Sequence, residues 1–442
     1  MRNEEPIILS GEASPEGCKN GTGAVEFPYA GHAGRGQAEA RATTTRSLTT
    51  MKARALSGLI LAAALAAAGA PAAAAGLSVD SLQLISSGSL NDSTGLFEVD
   101  SRLFFDLSIE GGDKFGGLLK LDFLSSDIES ALDLADDEAT TGNYLSKLDN
   151  LTSMGLRTAA VTAKRLFDSP LELTYFVGLL DSLCSGADFP ALFGSAPFGT
   201  DLSGPMVFPD GIGTRKKLYY DGIDAIYGTG FRLGLAGGSS AAYLYAYQDS
   251  DIGKGSWSAA LRGLLETGDL ELEAYAGASY ASGMAYGLYR AGLLFNLTPG
   301  EVGEFFAQVG LTRFDPEAGL SIDDFYFLFE PRLNFYPGSL AVTVFYHPGW
   351  YRQVDTNDEN ALDLNMNLKF GSLAKAGSQG GVASTLSFRP HLSEALTIDL
   401  SPYYAVIASG MEWNFKLSVR LFPFPSEWYG MFTPFIGVTT SF

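Results

Sequence analysis

Cysteine is nearly missing: the 442 residues hold two, Cys18 and Cys184. Only Cys184 lies beyond residue 75, where an export signal is expected to end. The exported chain therefore has no intramolecular disulfide and no metal cluster built on thiolates. Histidine is almost as rare, and beyond residue 75 only His347 and His391 remain. Neither sits in a nucleophile or metal-ligand motif, so no catalytic residue, cofactor or metal ligand is assigned. Positive charge is short as well, with 29 Lys and Arg against 50 Asp and Glu. Residues 1–75 hold seven of the bases and six of the acids, which leaves 22 and 44 and a net charge of −22. Such a chain repels phosphates, which excludes nucleic acid as a partner. Beyond residue 75 no apolar run reaches the roughly 18 residues of a spanning helix. Hydrophobic residues are nonetheless 46% of the chain, so they must be distributed in another way.

The chain divides into three regions. Residues 1–50 lack apolar periodicity and are rich in Gly, Glu, Arg and Thr; they read as a disordered extension or a mis-assigned start. At Met51 the character changes. Lys52 and Arg54 precede the apolar run Ala55 to Ala70, and Ala73-Ala74-Ala75 offers a small-residue cleavage site before Gly76. Residues 51–75 are thus expected to be a cleaved signal peptide. Residues 76–442 form the third region.

That region alternates with a period of two. Phe97, Val99, Leu103, Phe105, Leu107 and Ile109 are interleaved with Glu98, Asp100, Arg102 and Asp106. Leu362 to Phe370 alternates with Asp363, Asn365, Asn367 and Lys369, and Met411 to Leu421 with Glu412, Asn414, Lys416, Ser418 and Arg420. Segments of about ten residues with one apolar face and charges at mid-strand suit strands between lipid and a wet lumen. Soluble sandwiches rarely sustain this pattern over so many segments. The rule predicts about 18 strands, beginning near 77, 96, 115, 155, 171, 222, 240, 256, 270, 285, 303, 322, 339, 360, 380, 395, 410 and 430; losing one pair leaves 16. Every second connection is short, as at Gly111-Gly112-Asp113, Thr267-Gly268-Asp269 and Ser409-Gly410. The long connections, 125–154, 182–221, 248–255, 314–321 and 348–359, all fall on the other side. Tyr346, Trp350, Tyr403, Tyr404, Trp428 and Tyr429 lie near strand ends, where girdles at the lipid–water boundary are expected. The acids Asp133, Asp136, Asp137 and Glu138 lack EF-hand spacing and read as a solvated loop.

The chain ends Gly430-Met-Phe-Thr-Pro-Phe-Ile-Gly-Val-Thr-Thr-Ser-Phe442, with Phe432, Pro434, Ile436, Val438, Thr440 and Phe442 on one face. This ending resembles the closing strand of bacterial outer-membrane β-barrels, where a terminal aromatic and alternate apolar residues are recognised by the assembly machinery. The resemblance implies an assembly signal at Phe442, Val438 and Ile436. In its signal peptide, alternating strands, loop asymmetry and third outer loop the whole of 76–442 resembles the general porin plan. The acidic constriction-loop motif of enterobacterial porins is absent.

The third outer loop, 182–221, carries Phe189, Leu192, Phe193, Phe198, Met206, Val207 and Phe208, too many apolar groups for a loop extended into water. It either folds into the lumen or caps the mouth. In porins the loop at this ordinal place folds inward and narrows the pore, which implies a constriction built from Asp188, Asp201, Asp210, Phe189, Phe193 and Phe198. Lumen charges of both signs are expected from Arg102, Lys120, Lys416 and Arg420 and from Glu98, Asp100, Asp106 and Asp122, together with Glu271 and Glu273. The reading is an outer-membrane pore for passive diffusion of small hydrophilic solutes, without a chemical step. Two alternatives stand beside it: a channel for hydrophobic compounds of the fatty-acid-transporter kind, and a structural or adhesive surface barrel with a closed lumen. The partners are the lipid bilayer, the barrel-assembly machinery and small solutes, and a homo-oligomer is compatible with all three readings.

Overall fold

Strict alternation over some ten residues yields strands with one apolar and one polar face, and eighteen of them form one sheet that closes on itself. The computed structural model describes residues 76–90, 97–125, 152–202, 222–250, 252, 255–280, 287–300, 302–348, 361–389, 395–425 and 428–441. The first nine strands are β1 (Gly76–Leu90), β2 (Phe97–Gly111), β3 (Phe115–Ser125), β4 (Thr152–Ala163), β5 (Leu171–Leu183), β6 (Asp224–Gly237), β7 (Ser240–Asp249), β8 (Trp257–Thr267) and β9 (Leu270–Tyr280). The other nine are β10 (Leu288–Leu297), β11 (Gly303–Phe314), β12 (Phe325–Phe335), β13 (Gly338–His347), β14 (Ala361–Ser372), β15 (Ser378–Phe388), β16 (Leu396–Ala408), β17 (Met411–Phe422) and β18 (Phe432–Ser441).

Each strand pairs antiparallel with its sequence neighbours, and β1 pairs with β18 from Ser81↔Ser441 to Ser87↔Phe435. Closure removes both sheet edges, which a spanning sheet requires because lipid offers unpaired backbone groups no partner. Every strand starts within three residues of its expected place. The small shifts have local causes. Ile322–Asp324 is a 3-10 turn capped by the Ser321 side chain, so β12 begins at Phe325. At the start of β6, Gly222 takes a positive φ of 118° and an added Cβ would meet Leu183 O at 2.4 Å. Only glycine lets the returning chain cross its own entry so closely.

The two faces differ as the alternation demands. On β14, Leu364 is 38% exposed and neighbouring Asn365 5%. Outward Leu244, Leu261, Leu293, Phe415 and Ile436 are exposed, whereas inward Tyr245, Arg262, Leu294 and Phe306 are buried. Outward aromatics mark both ends of the wall: Tyr227, Trp257, Tyr280 and Tyr289 beside the long loops, and Phe115, Phe335 and Tyr336 beside the short turns. Tyr404 and Trp428 are also exposed. Tyr403 departs from its expected place in a girdle. It points inward, where its hydroxyl donates to Asn367 Oδ1 at 2.9 Å. Trp350 and the acids at 133–138 lie outside the described residues.

Candidate functional site: the lumen and its folded loop

The chain leaving β5 turns inward at once. Cys184 has a positive φ of 54° and is fully buried with Leu183. Its N–H donates to the Glu273 carboxylate, and its carbonyl accepts from Gln308 Nε2. Burial pushes the Cys184 thiol well above the usual thiol range, with the nearby Glu273 carboxylate adding to the effect. A short helix, α1 (Phe189–Phe193), follows, with Pro190 in its first turn. The Phe189 ring meets Phe193 tilted at 5.5 Å and Phe198 edge-on at 5.2 Å, and Phe198 reaches Phe306 of β11 at 6.4 Å. The three loop phenylalanines expected near a constriction thus join the apolar cluster against the inner wall, which explains why so apolar a loop leaves water.

Wall charges hold the loop at two places. Near α1, Arg262 of β8 lies between Asp188 at 2.5 Å and Glu273 of β9 at 2.7 Å. Farther round the barrel, Glu330 of β12 is fully buried. It accepts from Thr200 Oγ1 at 2.5 Å, from Asp201 N at 2.9 Å, from Arg332 Nε at 2.8 Å and from Thr343 Oγ1 at 2.5 Å. Asp201 accepts from Asn367 at 3.0 Å and is ion-paired with Lys369 of β14. Arg332 also donates to the Gly199 carbonyl and pairs with Glu304 at 2.9 Å. Residues 184–202 therefore run along the inside from the end of β5 to β12 and β14. Buried charges are tolerated only when paired and hydrogen-bonded, and these are.

Two further clusters line the same wall. Arg232 of β6 holds Asp181 at 3.0 Å and Glu172 at 3.3 Å, with the Tyr245 hydroxyl on Asp181 at 2.8 Å. Arg290 of β10 holds Asp224 and Asp249, each at 3.1 Å, and so ties the loop's return strand to β7.

The seam side is built differently. Arg102 pairs with Asp122 at 2.8 Å, Lys120 with Asp106 at 3.7 Å and Arg420 with Asp399 at 2.6 Å. The guanidinium groups of Arg102 and Arg157 lie over the Phe104 ring, 5.0 Å and 5.3 Å from its centroid. Many inward groups here keep partial contact with solvent, among them Gln83, Asp106, Lys120, Asp399, Asn414, Lys416 and Ser418. The structure thus brings Asp188 and Asp201 to Arg262, Arg332 and Lys369, and does not bring them to Arg102, Lys120 or Arg420. Asp100 sits on β2 and Lys416 on β17. Ile436 pairs with Phe415 and Val438 with Trp413 on β17. Asp210 and Phe442 lie outside the described residues, and so does the Glu98 side chain. Sequence reading missed the anchoring residues Glu330, Arg332, Arg262 and Lys369; their inward register was legible, their partners were not.

His347, at the loop end of β13, is buried with Nε2 3.6 Å from Asp363, and Ser387 donates to that same carboxylate. The carboxylate stands between hydroxyl and imidazole, whereas a serine nucleophile needs the imidazole against its hydroxyl. His391 lies outside the described residues. Among the described residues no group of three or more His, Cys, Asp and Glu is placed to hold a metal, and no helix is long and apolar enough to cross a membrane.

Closure of an even number of antiparallel strands, an apolar outer band with aromatic ends, a charged interior and short turns on one rim together decide the class. The chain is an outer-membrane β-barrel. No protein-family model and no curated protein matches its sequence. Among solved structures it is similar to a low-pH structure of OprB from Pseudomonas putida, at 8% identity, 83% of this chain, 93% of that chain and a TM-score of 0.40. It is similar to Salmonella typhi OmpF in complex with daunomycin, at 9% identity over 83% and 98% of the two chains with a TM-score of 0.40. A mutant Rh. blastica porin gives 12% identity, 83% and 100% coverage and a TM-score of 0.39.

Proposed function

We propose that this barrel is a passive pore for small hydrophilic solutes, and that residues 184–202 narrow its lumen from the side of β5 to β14. One observation carries the reading: the loop is seated inside the barrel and pinned at both ends, by Arg262 on Asp188 and by Glu330 and Lys369 on Thr200 and Asp201. A loop held there occupies one side of the lumen, and the seam wall opposite presents partly solvated hydroxyl, amide and charged groups. Polar groups that stay wet favour water and polar solutes over lipid-like ones. Asp188 and Asp201 serve in this reading as anchors, with Phe189, Phe193 and Phe198 as the loop's filling. No chemical step is needed, and the assembly machinery reads Phe442, Val438 and Ile436.

A second reading is favoured by the paired seam charges Arg102–Asp122, Lys120–Asp106 and Arg420–Asp399: a structural barrel whose lumen is closed. Liposome swelling separates the two. A pore admits neutral sugars at rates that fall steeply with solute size, while barrels that are folded yet give no swelling with the smallest sugar would establish the closed form.

A further inference from the structure

Where β8 turns into β9, two carboxylates stand opposite each other. Glu266 is in register with Glu271 across the hairpin, and Glu271 with Asn296 on β10. All three share the inward alternation of Arg262 and Leu264 on β8, Glu273 and Tyr275 on β9, and Leu294 on β10. The result is a Glu–Glu–Asn row on three adjacent strands at the short-turn rim. Directly opposed side chains in an antiparallel pair have Cβ atoms about 4.5–5.5 Å apart, and like charges there repel.

Nothing basic compensates among the described residues. Arg262, two inward positions away, is committed to Glu273 and Asp188, and Arg332 to Glu304, Glu330 and Asp201. Glu266 Oε2 has no hydrogen-bond partner among the described residues. Glu271 accepts one bond, from Asn296 Nδ2 at 3.0 Å. Asn296 is 1% exposed, and its Oδ1 has no partner among the described residues either. A buried acceptor left without a donor is costly. Two carboxylates stand here without a counter-charge, and the buried carboxamide that touches one of them has an oxygen without a donor; a cation supplies what all three lack.

We propose that Glu266, Glu271 and Asn296 bind a hard divalent cation of the calcium or magnesium class, with lumen water completing its shell. The donor set is oxygen alone, with no imidazole or thiolate, which fits those ions and disfavours zinc or copper. On binding, the Asn296 amide turns over so that Oδ1 faces Glu271, a rotation that leaves the side chain's shape unchanged. The ion would cross-link β8, β9 and β10 beneath the strands that hold Asp188, independently of whether the lumen conducts.

The test is the thermal unfolding temperature of the full chain refolded in detergent, stripped with EDTA and then titrated with CaCl2 or MgCl2. NaCl at matched ionic strength is the control. The expected result is a saturable rise with the divalent salts that NaCl does not reproduce. In Glu271→Gln the half-saturating concentration should increase by about tenfold or more. A wild type that responds to divalent salts no more than to NaCl overturns the proposal, because the two carboxylates would then share a proton. An equal response in Glu271→Gln also overturns it, since the ions would be acting elsewhere on an acidic chain. Should Glu271→Gln fail to fold, Asn296→Leu, which removes the carboxamide oxygen at similar size, must weaken half-saturation; an unchanged value refutes the site.

Discussion

Arg262 shows how much a single inward residue does in this barrel. It is almost wholly buried, and it is tolerated because Glu273 and Asp188 lie within 2.7 Å of its guanidinium. Removing one partner from such a group leaves an uncompensated charge, while removing the pair often costs little. Arg262→Leu should therefore lower stability by roughly 3–5 kcal/mol, and Arg262→Leu with Glu273→Leu should regain much of that loss. Urea unfolding of the refolded barrels measures both. A single variant as stable as wild type would mean that Glu273 does not depend on Arg262. That these residues face inward was legible from the period-two pattern. Their partners were not, because Asp201 and Lys369 are 168 positions apart and only closure brings them together. Tyr403 was misplaced for a related reason: an aromatic near a strand end fits a girdle by composition, and only its parity on β16 turns it inward.

The strand and the loop are legible to different degrees. A strand's position follows from its own alternation, so all eighteen starts were readable within three residues. Its two faces make opposite demands on the same substitution. Arg in place of outward Phe415 should cost roughly 2–4 kcal/mol and impair assembly, whereas Arg in place of neighbouring Asn414, half-buried and inward, should cost much less. Equal losses on both faces, read from heat-modifiability and unfolding curves, would contradict a membrane barrel. Asn365 is a poorer control than Asn414, being 5% exposed and bonded to Thr385 at 2.9 Å. The loop's composition showed that it packs somewhere, but not where. Its root supplies a reporter, since burial both raises the Cys184 thiol and hides it, and a thiol is attacked only as thiolate. With Cys18 replaced by Ser, maleimide should label folded barrels very slowly and unfolded ones at once. Replacing Asp201 and Lys369 by Ala, which loosens the far end, should speed labelling of folded protein. Labelling at the wild-type rate would show that the far anchors do not hold the root.

At the scale of the whole molecule, closure through β1 and β18 is what turns eighteen half-apolar strands into an inside and an outside. The inside is uneven. From β5 to β14 the wall carries the folded loop and its buried charge clusters, while from β15 round to β4 many inward polar groups are partly wet. A lumen occupied from one side should conduct more when that side is cleared. Single-channel recording in planar bilayers tests this most directly, comparing wild type with a chain lacking 186–212. Both should be shown to be folded by heat-modifiability. The account predicts steady unitary steps from the wild type and larger steps from the deletion. Steps of the same size in both would contradict a loop that narrows the lumen, and silence from both would contradict the pore itself.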